Sequence, residues 1–196
     1  MQTIKINPNA ITKEQVALIA DRLNHGQVVA YPTDTIYGLG CDARNTEAIR
    51  RVNKIKGKTK PKPLLVLISD FKMLRRYCFI NLEQEKYLNS VWPGPVTVIL
   101  KRRPNLPDEL TGGLNTIAVR LPKNDFLTKI ISQAGFPLVS TSLNKKGEKP
   151  LSNVLTIEKY FKYKPDLVID AGIIARTKPS RLVDLRDIND IKILRK

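Results

Sequence analysis

Residues 54–68 read KIKGKTKPKPLLVLI and join a lysine-rich stretch to a run of large apolar residues. The lysines stand at every second position, at Lys54, Lys56, Lys58, Lys60 and Lys62. Such alternation is typical of one face of a strand, but Gly57, Pro61 and Pro63 oppose a regular strand because proline cannot donate to a ladder. We therefore predict a basic loop that leads into a buried strand over residues 64–68.

A loop of this kind can gather several ammonium groups around one polyanion. A nucleoside triphosphate carries about four negative charges, and phosphoryl chemistry depends on offsetting them by electrostatic positioning. The alternative for any lysine run is a solvated basic surface. The remainder of the chain has to decide between the two interpretations.

Composition favours an anionic partner. The chain of 196 residues suits one domain over residues 1–196, and its 34 Lys+Arg against 18 Asp+Glu give a formal net charge of +16. Nucleic acid, nucleotide or phosphate would match this charge, although the excess can also simply decorate the surface. Cys41 and Cys78 are too few for a zinc quartet or a disulfide framework, and no long apolar run occurs, so we expect a cytoplasmic protein outside the membrane.

The order of periodic segments predicts an α/β fold. One helical pattern follows Thr12, which can cap the helix, and further helical patterns cover residues 46–56, 70–77, 81–89, 125–134 and 156–162. Strand patterns cover residues 28–32, 64–68, 96–100, 116–121, 137–141, 167–170, 182–185 and 191–194. Residues 33–40 are expected to form a loop in which Gly38 and Gly40 allow close approach of the backbone. The lone His25 lies in LNHGQ, where a helix end is expected.

Several predicted strand ends carry hydroxyl groups or cations. Thr33 and Thr35 follow one strand, Arg120 ends TIAVR, and Ser140 begins the run STSLN. Ligands commonly bind outside strand ends in α/β sheets, and arginine can hold a carboxylate or phosphate bidentately. Walker A and GxGxxG patterns are missing from the sequence, as are a nucleophilic triad and a zinc cluster. Any chemistry is then expected to rely on positioning and charge.

A set of motifs indicates a family. AYPTDTIYGLGCDA (residues 30–43), KGK…KPLLVLISD, WPGPVTVIL, TIAVRLP, STSLN and KPSRLVDL occur in this order. Together they resemble the YrdC/TsaC family, the L-threonylcarbamoyladenylate synthases, over nearly the whole chain. The resemblance implies a twisted mixed sheet with flanking helices around a large basic cavity.

The same resemblance implies a nucleotidyltransferase. Members of the YrdC/TsaC family condense L-threonine, bicarbonate and ATP to threonylcarbamoyl-AMP and pyrophosphate. The resemblance implies that Mg²⁺ is carried by ATP and not by a metal site of the protein. A TsaD-type partner then transfers the threonylcarbamoyl group to tRNA. Motif matching places catalytic residues at Lys56, Lys58, Ser142 and Asn144, and L-threonine contacts at Thr35, Arg120, Ser140 and Ser180. It places nucleotide contacts at Lys58, Lys62, Thr116, Ser142, Asn144 and Arg195.

The chain departs from the family pattern at three positions. Lys58 stands where arginine is usual, which keeps the charge but loses the bidentate fork. Leu67 stands where many members carry histidine, and Arg181 stands where threonine is usual. The basic loop at residues 145–149 is a candidate lid over a water-sensitive carbamate intermediate.

Two other functions remain open at this stage. One is a paralogue that binds double-stranded RNA or tRNA without adenylation, which suits the net charge but not the low aromatic content of 6%. The other function is a carbamoyl-adenylate domain of the type used in hydrogenase maturation. If the chain is instead the synthase, we expect only weak tRNA binding.

Overall fold

Strands and helices are interleaved along the chain. The computed structural model describes residues 1–57, 62–174 and 179–196. Its strands are β1 Gln2–Lys5, β2 Val29–Tyr31, β3 Gly38–Gly40, β4 Leu65–Leu67, β5 Val96–Lys101, β6 Thr116–Arg120, β7 Leu138–Ser142, β8 Leu167–Asp170, β9 Arg181–Asp184 and β10 Lys192–Arg195. Its helices are α1 Lys13–Asn24, α2 Thr46–Ile55, α3 Phe71–Tyr77, α4 Leu82–Val91, α5 Asp108–Thr111, α6 Asp125–Ala134 and α7 Ile157–Tyr160. The predicted α/β class is confirmed.

The ten strands found in the described residues form one mixed sheet. Their order is β1-β8-β2-β3-β7-β4-β6-β5-β9-β10. β8 runs parallel to β1 and β2, whereas β3 and β7 run antiparallel to both of their neighbours. β7 joins the two halves, because Ser142 pairs with Gly38 of β3 and Ser140 pairs with Leu65 of β4. The predicted mixed sheet is therefore present, and its central strand carries the STSLN motif.

The longer helices, α1 to α4 and α6, begin at side chains that cap their free backbone N–H groups. Thr12 accepts a hydrogen bond from the backbone of Gln15, whose side chain accepts one from the backbone of Thr12. Asn45 and Asp70 cap α2 and α3 in a similar way. His25 terminates α1, as predicted. Throughout the described ranges, no helix is long and apolar enough to cross a membrane.

Two helices pack together against the β2–β8 side of the sheet. Ile19 and Leu23 of α1 and Ile130 of α6 meet Val29 and Leu138 of the strands. Each of these side chains is almost completely buried. Burial of one such side chain contributes about 1.5–3 kcal/mol, so this contact fixes the sheet on a rigid apolar layer.

The sequence did not predict β3 or the short helix α5. Residues Gly38–Gly40 were expected in a loop, yet they form a strand between β2 and β7. Glycine has a low strand propensity, but here close approach of the backbones outweighs it. A Cβ atom on Gly40 would lie 1.7 Å from the carbonyl oxygen of Val139. Only glycine can therefore occupy this position beside β7.

We predict that Gly40→Ala destabilises the fold by about 3 kcal/mol or more, because β7 would have to move away from β3. Urea unfolding followed by circular dichroism measures this loss. Gly135→Ala is the matched control, since Gly135 has a φ of +82° but open space around a new Cβ. Its expected cost is about 1 kcal/mol from the left-handed backbone alone. Equal losses in the two variants would contradict the close-approach explanation.

Candidate active site

A cavity of about 440 Å³ lies on one face of the sheet, and we call it the sheet cavity. Its volume lies in the range of small-molecule sites, about 300–1,000 Å³. Alternate residues of four strands line it: Leu65 and Leu67, Thr97 and Ile99, Ala118 and Arg120, and Ser140 and Ser142. The remaining lining residues are Thr33, Asp34, Thr35, Ile36, Gly38, Pro63, Leu64, Pro122, Thr141, Pro150, Pro179, Ser180, Leu182 and Arg195.

The opposite face of these strands is largely apolar. Val66, Val98 and Val119 occupy the intervening positions of β4, β5 and β6, Val139 precedes Ser140 on β7, and each is at most 1% exposed. Successive side chains of a strand point to opposite faces, so one backbone delivers valines to the core and polar groups to the cavity. The site is therefore built on strands whose other face lies in the apolar core.

The four residues predicted to contact L-threonine all line the sheet cavity. Thr35 comes from the loop after β2, Arg120 from β6, Ser140 from β7 and Ser180 from the segment before β9. Each is buried, with at most 9% of its surface exposed. The structure thus brings together residues separated by up to 145 positions in the sequence. Their individual contacts to a substrate stay predictions.

Arg120 forms a buried ion pair inside this cavity. Its Nη2 donates to Asp34 Oδ2, and its Nε donates to the carbonyl oxygen of Gly94 at 2.9 Å. Burial lowers the pKa of Arg120 below its usual value, and the charge of Asp34 partly offsets this effect. Removal of either partner would leave an uncompensated buried charge, which costs about 3–5 kcal/mol. Arg120 is therefore held in a fixed position before any ligand arrives.

Thr33 shapes the loop that carries Asp34. Its Oγ1 accepts hydrogen bonds from the backbone N–H groups of Thr35 and Ile36, at 3.0 and 3.1 Å. The same hydroxyl donates to the carbonyl oxygen of Ile36 at 2.6 Å. Threonine hydroxyls commonly stabilise turns in this way. The PTDT motif is thus a compact turn that points Asp34 at Arg120.

Ser180 links two other parts of the wall. Its hydroxyl lies 2.8 Å from Thr97 Oγ1, and its carbonyl oxygen accepts from Arg195 Nε at 3.0 Å. Thr97 is completely buried, so its hydroxyl depends on Ser180 for a partner. Arg195 itself is exposed and lines the cavity. The last strand therefore adds a cation to the site through Ser180.

Lys56 was predicted to act in catalysis, and the structure places it behind the cavity wall. It is 4% exposed, and its Nζ donates to the carbonyl oxygens of Ser142 and Asn144 and to Asn144 Oδ1 at 2.8 Å. Ser142 Oγ also donates to Asn144 Oδ1. A buried ammonium requires several oxygen partners because it has lost its water. In this conformation Lys56 and Asn144 support Ser142 and do not line the sheet cavity themselves.

The residues predicted to bind the nucleotide are only partly brought together. Ser142 and Arg195 line the sheet cavity. Thr116 is buried two positions before Ala118 on the same strand and does not line the cavity. Lys62 is exposed beside Pro63 of the wall. Lys58 lies outside the described residues, so its role stays a prediction, as does the strongly basic character of the cavity.

The charged groups of the described wall do not form a metal cage. They are Asp34, Arg120 and Arg195, and Asp34 is already paired with Arg120. No three His, Cys, Asp or Glu residues within the described ranges approach one another closely enough to hold a metal ion. Mg²⁺ held mainly by phosphates and water needs few protein ligands, so this wall fits a metal that enters with a nucleotide.

Sequence reasoning missed Asp34 and Thr97 as members of the site. Thr97 carried a signal, because it is a polar residue between Val96 and Val98 in an otherwise apolar strand. No local feature of the sequence pointed to Asp34, because its partner Arg120 lies 86 positions away. Leu67, which replaces the histidine usual in the family, also lines the cavity, so this departure changes the wall itself.

The candidate lid at residues 145–149 is fastened at several points. Lys145 N donates to Tyr160 Oη, which in turn donates to Glu148 Oε2 at 2.7 Å. The side-chain amide of Asn144 donates to the carbonyl oxygen of Glu148. Pro150, directly after this loop, lines the sheet cavity. The loop is therefore positioned beside the cavity, and a lid motion stays a prediction.

Comparison with known proteins identifies relatives along most of the chain. The family model for Sua5, YciO and YrdC, described as telomere recombination, matches residues 21–196. The threonylcarbamoyl-AMP synthase of Thiobacillus denitrificans is 36% identical over 164 residues, which are 83% of this chain and 87% of the relative.

Two solved structures share the fold. P. abyssi Sua5 complexed with L-threonine superposes with a TM-score of 0.83 at 29% identity, over 93% of this chain and 53% of that one. E. coli YciO superposes with a TM-score of 0.88 at 26% identity, over 100% of this chain and 95% of that one. The chain thus spans about half the length of P. abyssi Sua5 and nearly all of YciO.

We predict that Lys56→Met destabilises the protein by about 3 kcal/mol or more, because it leaves buried carbonyl oxygens without a donor. Hydrogen exchange should become faster at residues 142–148, and urea unfolding gives the energetic loss. Lys86→Met is the control, since Lys86 is an exposed residue of α4 and its replacement should change stability by less than about 0.5 kcal/mol. Unchanged exchange at residues 142–148 would show that Lys56 does not hold this segment.

Proposed function

Because the chain belongs to the Sua5/YciO/YrdC family, we propose that it is an enzyme, a threonylcarbamoyl-AMP synthase that uses L-threonine, bicarbonate and ATP. The relative from T. denitrificans carries this name, and P. abyssi Sua5 was solved with L-threonine. The observation that carries the proposal is the meeting of Thr35, Arg120, Ser140 and Ser180 in one cavity. These groups can hold a carboxylate and a hydroxyl at the same time.

In the proposed reaction the neutral amine of threonine forms an N–C bond to bicarbonate with loss of water, or to carbon dioxide with loss of a proton, and gives N-carboxy-threonine. The new carboxylate attacks the α-phosphorus of ATP in line, and pyrophosphate leaves. Mg²⁺ bound to ATP lowers the charge of the phosphates when present. The protein acts by positioning, because the described wall has hydroxyls and arginines but no activated nucleophile.

Threonine and ATP are assigned to neighbouring parts of the sheet cavity. Arg120, held by Asp34, donates to the threonine carboxylate, with the hydroxyls of Ser140 and Ser180 nearby. Ser142 and Arg195 are available to the nucleotide. Lys58 and Lys62 precede the wall residue Pro63 in the sequence. The family motif is the basis on which we assign them to the phosphates.

We assign the product to a downstream threonylcarbamoyl transferase of the TsaD type, which acts on tRNA. The curated relatives carry the name of an enzyme, so the comparisons do not favour the alternative of an RNA-binding paralogue without adenylation. Any binding of tRNA by this chain is expected to be weak and nonspecific at physiological salt, because the free-energy gain from counterion release decreases as the salt concentration rises.

We predict that pyrophosphate release from ATP requires L-threonine and bicarbonate together. L-Serine should support a lower rate and L-valine a lower rate still, because a site that bonds a substrate hydroxyl leaves its own groups unpaired with valine. A coupled pyrophosphate assay measures the three rates. If valine equals threonine, the amino acid is wrongly assigned; if ATP turns over equally without an amino acid, the reaction is wrongly assigned.

We predict that Lys58→Ala weakens ATP binding about 10- to 100-fold, since a charge-assisted bond to phosphate contributes about 1.5–3 kcal/mol. Lys13→Ala serves as the control because Lys13 begins α1 and does not line the sheet cavity. Isothermal titration calorimetry with Mg²⁺–ATP compares the variants. Equal ATP affinity of the wild type and Lys58→Ala would show that Lys58 of the lysine-rich loop does not contribute to nucleotide binding.

A further inference from the structure

The pairing of Arg120 with Asp34 weakens the attraction of Arg120 for a carboxylate ligand. Its guanidinium already donates to Asp34 Oδ2, so the pair as a whole carries no net charge. The side chain of Arg120 is 6% exposed and that of Asp34 is 21% exposed, so water screens the pair only weakly. A simple carboxylate entering the sheet cavity meets the attraction of Arg120 and the repulsion of Asp34 together.

Asp34 also has an unused oxygen. Its Oδ1 is buried and has no hydrogen-bond partner among the described residues. Asp34 is the one acidic side chain in the described wall of the sheet cavity. A carboxylate oxygen that has lost its water without gaining a donor is uncommon in folded proteins and requires an explanation. A ligand that brings a cation to this place supplies one.

An α-amino acid has the complementary arrangement of charges. Its carboxylate and its ammonium group are attached to the same carbon atom, as the guanidinium and the carboxylate of this pair stand side by side in the wall. The terminal torsion of an aspartate is soft, so a small rotation turns Oδ1 towards the cavity while Arg120 stays in place. Juxtaposed opposite charges on both partners favour a zwitterion and disfavour an anion.

We propose that Asp34 is the binding residue for the ammonium group of the amino acid, and that the Asp34–Arg120 pair recognises the substrate as a zwitterion. This inference rests on the proposed function, since it concerns the amino-acid half of the same site. It assigns to the PTDT turn a direct contact with the substrate in addition to the support of Arg120. It also makes an amine, and not only a carboxylate and a hydroxyl, a condition for tight binding.

The test compares L-threonine with 3-hydroxybutyrate, which keeps the carboxylate and the hydroxyl but lacks the amine. Isothermal titration calorimetry measures both ligands on the wild type and on Asp34→Asn. The variant should bind L-threonine about 10- to 100-fold more weakly, the usual effect of losing one charge-assisted bond. It should bind 3-hydroxybutyrate at least as tightly as the wild type, because the repulsive charge beside Arg120 is gone.

Two results would overturn the proposal. Unchanged threonine affinity would show that the amine does not contact Asp34. An equal loss for both ligands would show that Asp34 only holds Arg120 in position. Asp42→Asn is the matched control, since Asp42 is a largely buried aspartate paired with Arg44 and does not line the sheet cavity. That variant should leave both affinities unchanged.

If Asp34→Asn fails to fold, as judged by thermal unfolding, the wild type alone decides. Threonine binding at least about 10-fold tighter than 3-hydroxybutyrate binding supports the ammonium site, and equal affinities overturn it. The pyrophosphate assay separates this inference from the proposed function. Threonine binding that depends on Asp34 without pyrophosphate release contradicts only the proposed function, whereas pyrophosphate release with a variant that still binds threonine normally contradicts only the ammonium site.

Discussion

The alternation of side chains along the central strands is the constraint on which the rest of the structure depends. Val66, Val98, Val119 and Val139 fill the core, and the residues beside them form the sheet cavity. A shift of one residue in strand register would exchange the two sets and bury hydroxyls and a guanidinium among apolar side chains. The apolar core and the candidate active site therefore stabilise the same register.

Two buried cations show how the site is kept in shape. The ammonium of Lys56 is surrounded by oxygens of the segment after β7, and the guanidinium of Arg120 by those of Asp34 and Gly94. Each has exchanged water for fixed protein acceptors, an arrangement that is costly to disturb once formed. Residues that sequence motifs associate with chemistry can thus act by holding their neighbours.

The groups of the sheet cavity come from separate strands and loops. Thr35, Arg120, Ser142 and Arg195 lie on four different elements, and no short segment could assemble them alone. Such a site depends on the correct pairing of β7 with β3 on one side and β4 on the other, because β7 joins the two halves of the sheet. A mutation at the junction, such as one at Gly40, is then expected to affect binding as well as stability.

Local patterns in the amino-acid sequence are enough to predict the α/β class, most element positions and the residues grouped by the family motifs. Apolar period, capping residues such as Thr12 and short motifs are local properties, so they can be read without knowing which segments meet. Three features appear only in the folded chain: Gly38–Gly40 is a strand, Lys56 is buried and Arg120 pairs with Asp34. Each depends on contacts between distant segments: Gly40 beside Val139, Lys56 beside Asn144, and Asp34 beside Arg120. Neither propensity nor period carries information about such neighbours, because they arise only when the strands pair.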